Sequence, residues 1–169
     1  MKNPILLLLF VFGIINITNA QSVPGEKTVP AAVKAKFKTE YPNAVIKWWE
    51  TKAVVKEYVA VFVDQNLQKR ARYKADGKPV LLHIAYPAAS VPTTYSSKIT
   101  TEYTGFKVDW ANEWNNFITG NHFVEVRLSK PGYILKVFVD TNGNVITDDK
   151  KTKEDLKAAG ENVENDSTK

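Results

Sequence analysis

Two histidines, His83 and His122, are the only imidazoles in this 169-residue chain, and it contains no cysteine. A structural or catalytic zinc site draws on three or four converging ligands, which two separated histidines do not supply. There is no HExxH pair and no G-x-S-x-G nucleophile turn. His83 stands in an otherwise apolar stretch and His122 opens another, so both read as structural side chains. Glu50, Asp64 and Glu125 are the acids that could form a carboxylate pair, yet nothing in their spacing requires them to meet. The sequence therefore assigns no catalytic residue, no metal ligand and no cofactor, and the chain is expected not to be an enzyme.

What remains is the chemistry of recognition. Four tryptophans, Trp48, Trp49, Trp110 and Trp114, stand in a chain with seven tyrosines and eight phenylalanines. Large aromatic side chains dominate binding surfaces, where truncating one typically costs about 2 kcal/mol or more. Deciding which of them are free to bind requires the elements that carry them.

Those elements are written twice. Thr28-Val29-Pro30, Val33, Phe37, Tyr41 and Trp48 recur as Ser90-Val91-Pro92, Tyr95, Ile99, Tyr103 and Trp110, all at an offset of 62. The first half of each unit predicts a helix. A hydroxyl residue stands near the N-cap, proline is tolerated in the first turn, and apolar residues every four positions form one stripe. Pro42 ends the first helix and Thr104-Gly105 the second. The pattern then alternates with β-branched and aromatic residues, which predicts strands at 45–50, 58–64, 68–74 and 80–86, and again at 107–110, 123–128, 134–140 and 145–147. Turn signals stand at 75–78 and, more strongly, at Thr141-Asn142-Gly143-Asn144. Residues 111–121, which carry Trp114, read as a polar, Asn-rich connection.

The expected fold is α+β: a tandem duplication of a helix followed by an antiparallel meander, forming an antiparallel sheet of roughly eight strands with the helices on one face. Residues 28–86 and 90–148 are the two units, 21–27 a linker, and 149–169 a charged, flexible tail. Residues 1–20 read as a secretory signal peptide, with Lys2 followed by an apolar run at 5–17 and cleavage near Ala20. That run is too short for a span of about 20 residues, so no membrane insertion is expected after its removal. The net charge of +5 is spread over both signs without a focused basic patch, which argues against a nucleic-acid partner. The expected address is periplasmic or extracellular.

Val29-Pro30, Val33, Phe37, Tyr41-Pro42, Ala44 and Trp48-Trp49-Glu50, followed by Tyr58-Val59-Ala60-Val61-Phe62 and Asp76-Gly77, resemble the PepSY-like repeat of secreted bacterial proteins. That family is similar in turn to the β-lactamase inhibitor protein, built of two helix-plus-sheet repeats. The resemblance implies an exported, non-catalytic protein that binds or inhibits a secreted or periplasmic enzyme with an aromatic sheet face and a hairpin loop. Asp64, at the turn after the second strand, takes the position of the acid in such a loop. The inhibitor's disulfides have no counterpart in this cysteine-free chain.

Trp48 and Trp110 occupy equivalent positions and are expected to anchor helix to sheet. Trp49 follows Trp48 and so faces the other side of its strand. Trp49, Asp64, Tyr86 and Trp114 are the expected interface residues. The alternative function is capture of a small apolar or envelope-derived ligand between the two units.

Overall fold

A computed structural model describes residues 23–152, with only the backbone described from 147 onward. The expected signal segment, 1–20, and most of the expected tail lie outside the described residues. The element order is α1 (Ala31–Glu40), β1 (Val45–Lys52), β2 (Glu57–Asp64), β3 (Leu67–Lys74), β4 (Pro79–Pro87), α2 (Thr93–Glu102), β5 (Lys107–Asn116), β6 (His122–Lys130), β7 (Tyr133–Val139) and β8 (Val145–Thr152). The eight strands form one antiparallel sheet in chain order, as the α+β expectation required.

Both helices pack on the same side. Val33 and Phe37 of α1, one turn apart, are buried with Trp49, Phe62, Ala71 and Tyr73. Tyr95 and Ile99 of α2 are buried with Tyr86, Ala111, Val126 and Leu135. Strand β4 serves both clusters, with Leu82 in the first and Ile84 and Tyr86 in the second. Each lies two residues from the next, so they share a face.

Pro30 and Pro92 are the N-cap residues of the two helices, and neither helix has a side-chain cap. Contrary to expectation, the Thr28 hydroxyl is no N-cap. It donates to the Gly25 carbonyl at 2.9 Å and stands 3.0 Å from Thr51 Oγ1, so it ties the lead-in segment to β1.

Two strands run further than their composition suggests. β5 continues through the Asn-rich stretch to Asn116, because pairing with β4 on one side and β6 on the other uses its backbone groups whatever the side chains. β8 runs to Thr152 along β7, so residues 149–152, expected in the tail, are strand.

Candidate functional site

The sheet face opposite the helices is uncovered by any element among the described residues, and register places a continuous row of side chains across it. Trp48 pairs with Val61, Val61 with Arg70, Arg70 with His83, His83 with Trp114, and Trp114 with Phe123. The row thus crosses β1 to β6. Such directly opposed side chains sit close enough to interact. The His83 ring stacks on Trp114 with centroids 4.1 Å apart at 24°. Its Nε2 lies 3.0 Å from Asn112 Oδ1, which suits an Nε2–H donor to the amide oxygen. Arg70 Nη2 donates to both Glu50 carboxylate oxygens, at 2.8 and 3.0 Å, and Trp48 Nε1 donates to Glu50 Oε1 at 3.1 Å. Phe123 meets Phe138 at 6.0 Å between centroids.

Ion pairs frame the row on this face. Arg72 lies 3.2 Å from Glu57, Arg127 3.5 Å from Asp109, and Lys136 3.6 Å from Glu125. Opposite charges balance, so the face offers aromatic area and oriented guanidinium groups rather than a field of one sign. Burial holds the His83 pKa below its usual value. The Asn112 hydrogen bond opposes that shift and the Arg70 charge reinforces it. The imidazole on this face is therefore neutral at pH 7.

Beside the row, across β3, β4 and β5, the face dips. Asn66, Gln68, Ala85, Pro87, Trp110 and Asn112 are among the residues lining a depression of about 360 Å³.

The tryptophan assignment read from the sequence is reversed. Trp49 is 5 % exposed and packs against Phe37, whereas Trp48 is 42 % exposed on the open face. A β-bulge is the cause. Ile46 pairs with Phe62 and Trp48 with Val61, so Lys47 is an extra residue that shifts the parity of everything after it. Strand β5 carries the same kind of bulge at Asp109, between Val108 and Trp110. There Ala111 takes the inward place of Trp49, and Trp110 points outward rather than anchoring the helix.

The other expected interface residues divide. Tyr86 is buried on the helix side, with its hydroxyl donating to Glu113 at 2.7 Å. Asp64 closes β2 rather than heading a loop, and its carboxylate accepts from buried Lys69 at 2.8 Å. The following turn belongs to Gln65 and Asn66, both at positive φ. Trp114 alone lies on the open face, in a strand rather than a loop. Arg70, His83 and Phe123 join it there, and of these the sequence reading weighs only His83, as a structural side chain. Alternation along β3 could have found Arg70, since Lys69, Ala71 and Tyr73 are buried while Arg70 is exposed.

On the helix side Glu113 gathers three polar partners among the described residues. It accepts from the Tyr86 hydroxyl at 2.7 Å and the Tyr95 hydroxyl at 3.4 Å, and His122 Nε2 lies 2.7 Å away. Burial raises both tyrosine pKa values, and the neighbouring carboxylate adds to the effect. The tyrosines stay protonated and act as donors that tie α2 to the sheet.

The sequence matches no known family model and no curated protein. Solved structures do resemble it. A BLIP-like protein from Bacteroides fragilis NCTC 9343 superposes with a TM-score of 0.57 at 18% identity, covering 78% of this chain and 90% of that one. A DUF2874 family protein from Bacteroides ovatus ATCC 8483 gives 0.56 at 15% identity, covering 80% and 97%. A candidate periplasmic protein from Bacteroides eggerthii DSM 20697 gives 0.55 at 20% identity, covering 73% and 90%. At these identities the likeness is one of fold, and it agrees with the architecture that the repeat resemblance implied.

Proposed function

We propose that this chain is an exported, non-catalytic binding protein of the bacterial envelope whose open sheet face receives a protein partner. The observation that carries this reading is the uncovered row Trp48, Val61, Arg70, His83, Trp114 and Phe123. Antiparallel sheets leave one face to solvent at little cost when that face is polar. This one instead presents aromatic rings and arginine, the residue types that dominate interface energetics. Glu50 holds Arg70, and Trp114 stacks on His83, so the contact groups are pre-ordered and lose less entropy on binding.

The periplasmic address rests on the signal-like segment and on the fold neighbour described in those terms. Two helix-and-meander units, each with a bulge at an equivalent strand position, support a tandem duplication. The BLIP-like neighbour supports enzyme inhibition as the form of binding. The test is affinity capture from the envelope fraction of the producing cell, with wild type beside Trp48→Ala/Trp114→Ala. Loss of about 2 kcal/mol or more of affinity for a stoichiometric partner is expected. Capture unaffected by the double substitution contradicts the reading.

A second reading, binding of a small apolar or envelope-derived ligand, is favoured by one observation, the depression between the units beside Pro87 and Trp110. Native mass spectrometry of the purified protein separates the two: a co-purifying ligand lost in Trp110→Ala supports the second.

A further inference from the structure

We infer that one rim of the sheet docks peripherally on an anionic lipid surface. In an antiparallel sheet whose strands follow chain order, the β1–β2, β3–β4, β5–β6 and β7–β8 connections all lie at one end. Among the described residues eight large apolar side chains are exposed, and five of them, Val54, Val55, Phe117, Ile118 and Ile146, belong to these connections or the residues just after them. Val54 is 99 % exposed and so contributes nothing to the core. Turn tips ordinarily carry Gly, Asn, Asp, Pro or Ser, so paired apolar residues there have no folding reason.

The prongs are built rather than frayed. Asn116 Oδ1 accepts from the backbone N–H groups of Ile118 and Thr119 at 3.0 and 3.1 Å, and the Asn116 carbonyl accepts from Gly120 N–H at 2.8 Å. This fixes the Phe117-Ile118 turn with both side chains outward. Ile146 protrudes because it is the extra residue of a bulge, with Val145 and Thr147 opposite Val139 and Phe138.

Lysines stand on two of the four connections. Lys52 and Lys56 flank Val54-Val55, and Lys74 and Lys78 flank the β3–β4 turn between the apolar tips. Among the described residues Lys52, Lys56 and Lys74 have no ion-pair partner, and Lys78 pairs only with Asp76 of its own turn. Glu57, beside Lys52 and Lys74 in register, is engaged by Arg72.

Apolar tips on separate hairpins do not make a contiguous patch, so a protein partner would need a separate recess for each. A bilayer surface needs no such recesses: the tips enter the acyl boundary while the lysines meet the phosphates. No helix among the described residues is long and apolar enough to cross a membrane. This surface is distinct from the open face, and the inference shares with that reading only the exported address.

Co-sedimentation with phosphatidylglycerol-containing vesicles, against phosphatidylcholine vesicles, tests it. Wild type is expected to bind the anionic vesicles, less at high salt. Val54→Asp/Phe117→Asp/Ile118→Asp and Lys52→Glu/Lys56→Glu/Lys74→Glu are each expected to weaken binding about tenfold or more. The charge-reversal variant keeps the test decisive if aspartates at the tips disturb folding. Trp48→Ala/Trp114→Ala should bind vesicles like wild type, which separates this result from any outcome at the open face. Absence of binding at low salt, equal binding to phosphatidylcholine, or binding unchanged in both variants overturns the inference. So does crosslinking of the tips to a protein in the absence of vesicle binding.

Discussion

Trp48 and Trp49 are neighbours in the chain and serve opposite faces of β1. The Trp48 indole donates to Glu50 on the open side, whereas Trp49 meets Phe37 of α1 edge-on, with ring centroids 5.4 Å apart. The two residues therefore separate stability from recognition. Trp49→Ala is expected to cost about 3–5 kcal/mol, as for a large buried aromatic. Trp48→Ala should cost below about 1 kcal/mol. The Trp49 indole N–H has no hydrogen-bond partner among the described residues, so Trp49→Phe should cost much less than Trp49→Ala. Urea denaturation of the three variants measures all three.

Gly143 and Gly77 occupy the β7–β8 and β3–β4 turns, at φ 76° and 86°. A side chain at Gly143 would run into the Thr94 carbonyl oxygen of α2, and one at Gly77 into that of Ala32 in α1. Gly120 has a similar φ of 74° but open space around it. Gly120→Ala should therefore cost only left-handed backbone strain, about 1–2 kcal/mol. Gly143→Ala should cost clearly more, and thermal unfolding of the pair reads the difference.

His83 supplies a pH dependence. Its folded-state pKa lies below the unfolded value near 6.5, because burial disfavours the imidazolium. As pH falls below that value the unfolded chain takes up a proton that the folded one resists, so stability falls with pH in this window. Melting temperatures measured from pH 7.5 to pH 5 should decline more steeply for wild type than for His83→Gln. Equal slopes would mean that the imidazole is not held neutral.

The helix-plus-meander plan was legible because its signals are local: the Val33–Phe37 and Tyr95–Ile99 stripes, the prolines, and the turn glycines. Strand faces were not, because a single bulge at Lys47 or Asp109 inverts the alternation and leaves no mark in composition. The equivalence of Trp48 and Trp110 suggested a shared core role, yet both point away from the helices. Asn112, Asn115 and Asn116 suggested a loop, because strand pairing on both sides of β5 is a property of the whole sheet and not of those residues. The open-face row joins six strands, so it becomes visible only when register is known.

The Glu113 cluster should be graded by distance. The Tyr86 hydroxyl at 2.7 Å makes the stronger bond and the Tyr95 hydroxyl at 3.4 Å the weaker. Tyr86→Phe should destabilise by about 1 kcal/mol and Tyr95→Phe by less. Glu113→Ala should exceed both, about 1–3 kcal/mol, because it strands several donors at once. Differential scanning calorimetry of the three variants orders them.

The central claim is that the face away from the helices meets a protein partner. Site-specific photocrosslinking in the living cell tests it most directly, with the crosslinker placed at Phe123 on the open face or at Lys36 on α1. The account predicts one discrete adduct from Phe123, lost on Arg70→Glu, and none from Lys36. No adduct from Phe123, or the same adduct from both positions, would contradict it.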